Sequence, residues 1–127
     1  MIHQGLQIGE IPDKGRAVYC IFDLPANTVI EVAPVIVMSK KDRLLLDQTL
    51  LHDYIFEWGG TKNECIMALG YVPLYNHSYT SNCEYEMDFE TKEISIKTVI
   101  AISAGEELTI NYNGDWDDST PVWFDVL

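Results

Sequence analysis

The sequence predicts a single, mainly β domain with one principal helix, and three observations support this class. The chain has 127 residues, of which 47% are hydrophobic and 22% charged, a composition typical of one packed domain. Its apolar segments are mostly short and rich in β-branched residues, and turn residues separate them. Only one longer stretch has helical periodicity. Such a chain can form a barrel, a sandwich or an irregular β fold, and the pattern alone does not choose among them.

The first strands are expected early in the chain. Residues 17–22 and 29–38 are rich in β-branched and aromatic side chains, and residues 23–27 between them have the composition of a turn. Two strands are therefore predicted on either side of this turn.

The principal helix is expected over residues 41–58, where leucines and other apolar residues recur at helical spacing. Gly59 and Gly60 supply its stop signal. Residues 66–69 are expected to form a short second helix that ends at Gly70.

The second half of the chain returns to strands. Residues 84–89 and 93–102 are predicted to form a hairpin around a turn at residues 91–92. Residues 108–112 follow as another short strand.

The charge balance is strongly acidic, with a formal net charge of -12. This argues against nucleic acid and anionic membranes as partners, because both need a basic surface. Residues 84–127 carry 11 of the 20 acidic residues and only 2 of the 8 basic ones. This segment is either a solubilising face or a field that attracts a cationic partner.

The three cysteines, Cys20, Cys65 and Cys83, are widely spaced and form no CxxC pair, which predicts neither a disulfide framework nor a structural zinc site. No metal is expected. The first ten residues lack the pattern of a signal peptide, and the longest apolar run, residues 32–38, is too short for a bilayer. We therefore expect a soluble intracellular protein.

Polar residues crowd into residues 74–83, which are flanked by apolar sequence. Asn76 and His77 each donate and accept hydrogen bonds, so this pair can orient a polar ligand or lock a crossing of backbone segments. A hydrolase built on His77 and Ser78 is disfavoured, because neighbours on a strand point to opposite faces and no nucleophile motif is present.

Four segments in order resemble the motifs of the SET domain family. Residues 76–83, Asn-His-Ser-Tyr-Thr-Ser-Asn-Cys, are similar to its first signature, and residues 105–112, Gly-Glu-Glu-Leu-Thr-Ile-Asn-Tyr, to its second. Residues 14–19 resemble its glycine-x-glycine opening, and residues 53–56 its tyrosine-x-glycine element. The resemblance covers about residues 15–112.

This resemblance implies a protein-lysine N-methyltransferase that uses S-adenosylmethionine (AdoMet), forms S-adenosylhomocysteine and needs no metal. It also implies a β-clip of small curved sheets with a C-terminal pseudoknot, which brings the two signatures side by side. AdoMet would bind on one face, and the substrate lysine would enter a narrow channel from the other.

The same resemblance implies the site residues. Gly15, Arg16, Asn76 and His77 match positions that hold the cofactor. Tyr112 matches the catalytic tyrosine, which also borders the cofactor.

Tyr54 and Tyr85 match positions in the lysine channel, where they take part in the catalytic set. We expect one SET domain over residues 1–127, with residues 113–127 after the motif-bearing core. In that segment Trp116, together with Trp123 and Phe124, is either a lid over the channel or packing for the C-terminus. An EF-hand-like calcium site at residues 114–118 is disfavoured, because its terminal glutamate is missing.

The expected substrate is a basic, lysine-containing protein or peptide, histone or histone-like, attracted by the acidic segment around Glu84, Glu86 and Asp88. A bacterial cytoplasm, a virus-infected host and a eukaryotic nucleus all fit, and a homodimer stays open.

Two alternatives remain. The chain departs from the family pattern at Ala17, Phe56, Ser81 and Asn111. Of these departures, Ala17 and the altered first signature leave room for a catalytically inactive SET-fold interaction module. The second is an unrelated small acidic binding protein.

Overall fold

A computed structural model describes residues 1–13, 15–59, 63–113 and 119, and these residues form two small sheets. The strands are β1 (Leu6–Ile11), β2 (Gly15–Cys20), β3 (Val29–Met38), β4 (Phe56–Glu57), β5 (Cys65–Ala68), β6 (Asn76–His77), β7 (Cys83–Asp88), β8 (Glu93–Thr98) and β9 (Glu107–Ile110). The helix α1 spans Lys40–Leu46, and two 3-10 turns span Leu50–Asp53 and Val72–Leu74. The mainly β class predicted from the sequence is confirmed.

The first sheet has the strand order β1-β2-β9-β6. Strand β1 pairs antiparallel with β2, and β9 pairs antiparallel with the other edge of β2. Strand β6 then runs parallel to β9. This sheet therefore joins the beginning of the chain to segments that lie far along it.

The second sheet has the order β4-β5-β3-β8-β7, with the long strand β3 at its centre. Strands β7 and β8 form the predicted hairpin. Strand β8 alternates as a half-buried strand should, because Ile94, Ile96 and Thr98 are fully buried while the residues between them are partly exposed.

One buried cluster joins the two sheets. Its fully buried members come from both sheets and include Val18 and Leu108 from the first and Ile30, Ile66 and Ile96 from the second. Removal of such side chains from water is the main favourable contribution to folding, at roughly 25 cal/mol per Å². The core therefore fixes the first sheet, which carries both signature segments, against the second.

The predicted helix over residues 41–58 is wrong in its length. Ser39 caps α1 with its side chain, and Thr49 caps the separate 3-10 turn at Leu50–Asp53. The leucines whose periodicity predicted a longer helix do not pack in the core, since Leu44, Leu45 and Leu50 are 57%, 60% and 76% exposed. Without a buried face to stabilise it, the helix ends where Thr49 offers a new cap.

The predicted second helix at residues 66–69 is also wrong, because Cys65–Ala68 is a strand that pairs with both β3 and β4. A short apolar run of this kind fits a buried strand as well as a helix. Strand β1 was not expected at all.

Candidate active site

The two signature segments lie side by side. Strand β6, with Asn76 and His77, pairs in parallel with β9. Just after β6, the side chain of Asn82 donates to the carbonyl of Glu107 at 2.8 Å and accepts from the backbone N–H of Thr109 at 2.9 Å. One amide side chain thus satisfies two backbone groups across the junction, which fixes the register of the two segments.

His77 is buried and joins the first signature to the end of the second. Its Nδ1 accepts a hydrogen bond from the backbone N–H of Tyr112 at 2.9 Å. Burial lowers the pKa of His77 below its ordinary value of 6.5, which favours the neutral imidazole that this bond requires. The ring also contacts Tyr79 and Tyr112, with centroids 4.5 and 5.1 Å away.

Asn76 points its amide to the other side of the junction. Its Nδ2 donates to Oε2 of Glu107 at 2.7 Å and to the carbonyl of Arg16 at 3.1 Å. Because an amide nitrogen carries two hydrogens, these two acceptors account for both. The amide oxygen, Oδ1, is the remaining polar atom of this side chain and is able to accept from a ligand.

Gly15 and Arg16 begin β2 next to Asn76. Gly15 has a φ of +79°, a conformation that glycine adopts without strain. Among the described residues, no heavy atom lies within 4 Å of the position that a Cβ at Gly15 would take. Ala17, at the second glycine position of the family motif, is an ordinary strand residue paired with Gly9. The backbone of β2 therefore borders open space beside Asn76.

Tyr112 is held at its hydroxyl as well as at its backbone. The phenol donates to the carbonyl of Tyr75 at 2.7 Å. Burial, followed by the nearby Glu107, Tyr54 and Asp53, raises the pKa of Tyr112 to about 12. The phenol is therefore neutral at physiological pH and acts as a hydrogen-bond donor.

A cavity of about 580 Å³ lies beside Tyr112. Its aromatic wall consists of Phe56, Tyr85 and Tyr112. The Phe56 ring meets Tyr85 edge-on at a centroid distance of 5.4 Å and Tyr112 at 6.3 Å. Aromatic faces of this kind accept an apolar chain that ends in a cation.

Charged side chains also line this cavity, and most of them are acidic. They are Arg43, Asp47, His52, Asp53 and Glu57. Asp47, His52 and Asp53 are exposed, so they form its solvent-facing side, where Nδ1 of His52 lies 3.0 Å from Asp47. The acidic charge next to the cavity thus comes from the middle of the chain.

The acidic residues of β7 lie elsewhere. Along β7, Tyr85 and Met87 line the cavity. Since side chains alternate along a strand, Glu84, Glu86 and Asp88 face the opposite side. These three residues therefore do not line the cavity, and their expected attraction of a basic substrate would act only through their field at a distance.

The structure brings most of the expected site residues together. Tyr85 and Tyr112 line the cavity, whereas Tyr54 does not line it but lies near enough to raise the pKa of Tyr112. Trp116, Trp123 and Phe124 lie outside the described residues. Phe56 was noted only as a departure from the family's glycine, yet its ring forms part of the wall. The sequence offered one signal for this role, namely an aromatic residue directly after Asp-Tyr-Ile in the element that resembles the family's tyrosine-x-glycine.

Within the described part of the chain, no group of three or more His, Cys, Asp or Glu side chains is arranged to hold a metal ion. None of the helices among these residues is long and apolar enough to cross a membrane.

Comparison with protein families decides the relationship. The model of the SET domain matches residues 15–113, which include both signature segments. The chain belongs to the SET domain family. Its mainly β fold, with small curved sheets and one helix, is the fold that this family predicts.

Two relatives of this SET domain protein are informative. It is 33% identical over 126 residues to a Schizosaccharomyces pombe protein, "Histone-lysine N-methyltransferase, H3 lysine-37 specific", and the match covers 98% of this chain and 80% of the relative. A crystal structure of a Plasmodium falciparum protein assigned to the histone methyltransferases superimposes with a TM-score of 0.67 at 25% identity. That match covers 91% of this chain and 98% of the other.

Proposed function

We propose that this SET domain protein is an AdoMet-dependent protein-lysine N-methyltransferase that acts on a basic, histone or histone-like protein. The observation that carries the proposal is the position of Tyr112. Its backbone is bonded to His77 and its hydroxyl to Tyr75, and its ring ends an aromatic cavity. A neutral phenol fixed in this way is suited to orient a reacting amine.

The region around Asn76 fits the methionyl part of AdoMet. Open space beside Gly15 allows a ligand to approach the backbone of β2 closely. Glu107 and the Arg16 carbonyl orient the Asn76 amide, and its Oδ1 can accept from a ligand ammonium. When bound, AdoMet supplies a methyl group on a positively charged sulfur, which a neutral lysine amine takes by in-line displacement to leave S-adenosylhomocysteine.

The aromatic cavity fits the lysine side of this reaction. A free lysine has a pKa near ~10.4 and must lose a proton to water before its nitrogen can attack. The rings of Phe56, Tyr85 and Tyr112 would pack against the methylene chain, and the desolvation of the amine would favour its neutral form before transfer. The same ring faces would tolerate the methylated, cationic product. The Tyr112 hydroxyl limits the directions from which the amine can approach. These groups would align the amine for its attack on the methyl group.

The acidic side chains of the cavity favour a basic substrate. Asp47, Asp53 and Glu57 lie beside the same cavity as Tyr112. Their field raises the encounter rate of a lysine-bearing basic segment. The S. pombe relative, whose name specifies lysine 37 of histone H3, supports histone or histone-like proteins as the first substrates to test.

The architecture around this core is also part of the proposal. Residues 1–127 would form one SET domain, in which residues 113–127 follow the motif-bearing core. The alternative function is an inactive SET-fold interaction module. Ala17 and the altered first signature motivate it, although Ala17 sits in β2 as an ordinary strand residue.

Calorimetry with AdoMet, followed by transfer of labelled methyl groups to histone mixtures, separates the two functions. An enzyme binds AdoMet and labels lysine, whereas the interaction module does neither. Asn76→Ala should weaken AdoMet binding at least tenfold, because the amide that accepts from the ligand is removed. Gln48→Ala, which removes an exposed amide after α1, is the matched control and should bind normally. No heat and no labelled product from the unaltered protein would exclude the proposed activity.

A further inference from the structure

A buried carboxylate, Glu31, lies in the core beneath the first signature. Its side chain is fully buried, and it sits on β3, where the pairing with β8 is irregular between Val29 and Glu31. Ile30 and Glu31 are consecutive and both buried, which a regular strand with one buried face does not allow. Glu31 shares the core-facing side of β3 with Ala33 and pairs with the buried Ile96 of β8. Regular alternation therefore turns Glu31 inward, and the bulge accommodates Ile30 as the additional buried residue.

The Glu31 carboxylate holds both ends of one 3-10 turn. Oε2 accepts from the backbone N–H of Tyr71, which precedes Val72–Leu74, at 2.7 Å. Oε1 accepts from the hydroxyl of Tyr75, which follows that turn, at 2.9 Å. A Cβ on Gly70 would overlap Oε2, so the chain leaves room for the carboxylate at this point. Burial raises the pKa of Glu31, because the buried environment disfavours the charged carboxylate. The hydrogen bonds from Tyr71 and Tyr75 offset part of this penalty.

The turn that Glu31 holds is connected to the proposed reacting centre. The carbonyl of Tyr75 accepts the hydroxyl of Tyr112 at 2.7 Å. Two hydrogen bonds therefore join Glu31 to Tyr112, one through the side chain of Tyr75 and one through its backbone. We infer that Glu31 is a positioning residue, which sets the place of the Tyr112 hydroxyl by fixing Tyr75. This inference rests on the proposed role of Tyr112 in methyl transfer.

The substitutions separate positioning from stability. Glu31→Ala leaves the Tyr71 N–H and the Tyr75 hydroxyl buried without their acceptor. Tyr75→Phe removes only one hydroxyl and keeps the ring, so it decides the question if Glu31→Ala does not fold. Glu31→Gln retains the shape, because the amide oxygen can accept from Tyr71 while its NH2 donates to the Tyr75 oxygen. Leu24→Ala, a buried substitution outside the site, is the control for destabilisation alone.

Two measurements on folded protein test the inference. The first is kcat and KM for methyl transfer to histone, where we expect Glu31→Ala and Tyr75→Phe to lower kcat about tenfold or more, as displaced reacting groups do. Glu31→Gln should stay within about threefold, and Leu24→Ala should keep the kcat of the unaltered protein. The second is the Cζ resonance of Tyr112 in protein with 13C-labelled tyrosine, assigned with Tyr112→Phe. It should shift in Glu31→Ala and Tyr75→Phe but not in Leu24→Ala.

The outcomes distinguish this inference from the proposed function. An unchanged kcat and an unchanged Tyr112 resonance in Tyr75→Phe would overturn it, as would a loss in Glu31→Gln equal to that in Glu31→Ala. If the unaltered protein transfers no methyl group, the proposed function fails, and the role of Glu31 in catalysis fails with it. The resonance then still decides whether Glu31 fixes Tyr112.

Discussion

The backbone N–H of Tyr112 donates a hydrogen bond to Nδ1 of His77 over 2.9 Å. This bond requires an unprotonated Nδ1, so the proton of the neutral ring resides on Nε2. The first signature therefore holds the end of the second through one histidine tautomer. Protonation of Nδ1 would replace this attraction with two opposed donors.

Stability should therefore depend on the protonation of His77. Its folded-state pKa lies below the ordinary value of 6.5, so below about pH 6.5 the unfolded chain binds a proton that the folded chain does not. The free energy of unfolding should fall as the pH drops through this range, by at most about 1.4 kcal/mol per pH unit from this group. Urea unfolding at pH 7.5 and 5.5 measures the change.

His77→Gln is the control for this pH dependence. It removes the titrating ring, so the stability advantage of the unaltered protein over the variant should shrink as the pH falls. Parallel pH profiles for the two proteins would show that His77 makes no contribution.

Removal of the Tyr112 hydroxyl should slow methyl transfer strongly without unfolding the protein. Tyr112→Phe loses the bond to the Tyr75 carbonyl, a net cost of about 1 kcal/mol in stability, whereas misalignment of the reacting amine should reduce kcat about a hundredfold. The matched control is Tyr19→Phe, because the Tyr19 hydroxyl bonds to Gln7 in an exposed contact. Steady-state kinetics and thermal unfolding check both variants, and a kcat near the original in Tyr112→Phe would remove this residue from the mechanism.

The charges beside the cavity should control the KM for basic substrates. The double variant Asp53→Asn, Glu57→Gln should raise KM for a basic histone peptide about three- to tenfold at low salt, and the difference should shrink at high salt.

The matched charge control lies on the far face of β7, where Glu84, Glu86 and Asp88 do not line the cavity. Neutralisation of these three residues removes more charge, yet it should change KM less. Equal effects from both sets would mean that net charge, not placement, attracts the substrate.

Gly70 and Gly105 provide a matched pair for backbone strain. Both have positive φ, +68° and +87°, so an alanine at either position should cost about 1–2 kcal/mol. At Gly105 the added Cβ meets no described heavy atom within 4 Å, whereas at Gly70 it would overlap the Glu31 carboxylate. Chemical denaturation should therefore show that Gly70→Ala is clearly the more destabilising change. Equal losses would mean that Glu31 moves aside at little cost.

Several elements could be predicted because their signal is local. Strand Val29–Met38 was predicted with its observed bounds, and the hairpin of β7 and β8 followed from alternation around a turn. The helix over residues 41–58 was wrong because periodicity reports a pattern of apolar residues, and here those leucines face solvent. Strand β1 was missed since Gly5 and Gly9 weaken the strand signal, and it forms by pairing with β2.

The residues of the candidate site also fall into those with a local sequence signal and those that depend on tertiary contacts. The motifs located Asn76, His77 and Tyr112, whose roles depend on residue type and order. Glu31 could not be found, because an acidic residue within an apolar strand is normally expected to face water. Here its carboxylate is buried against donors from Tyr71 and Tyr75, which are tertiary contacts that the sequence does not show. The position of Phe56 beside Tyr85 depends on the pairing of β4 with β5, which is a tertiary contact.

The parallel pairing of β6 with β9 determines when the candidate site can assemble during synthesis. It matches Asn76 with Thr109 and His77 with Ile110, positions separated by more than thirty residues. Contacts between residues so far apart in sequence form slowly, because the entropy cost of closing the intervening loop comes before the contacts stabilise the fold. During synthesis the first signature leaves the ribosome well before its partner strand. A growing chain therefore cannot assemble the candidate site until strand β9 has been synthesised and is free to pair with β6.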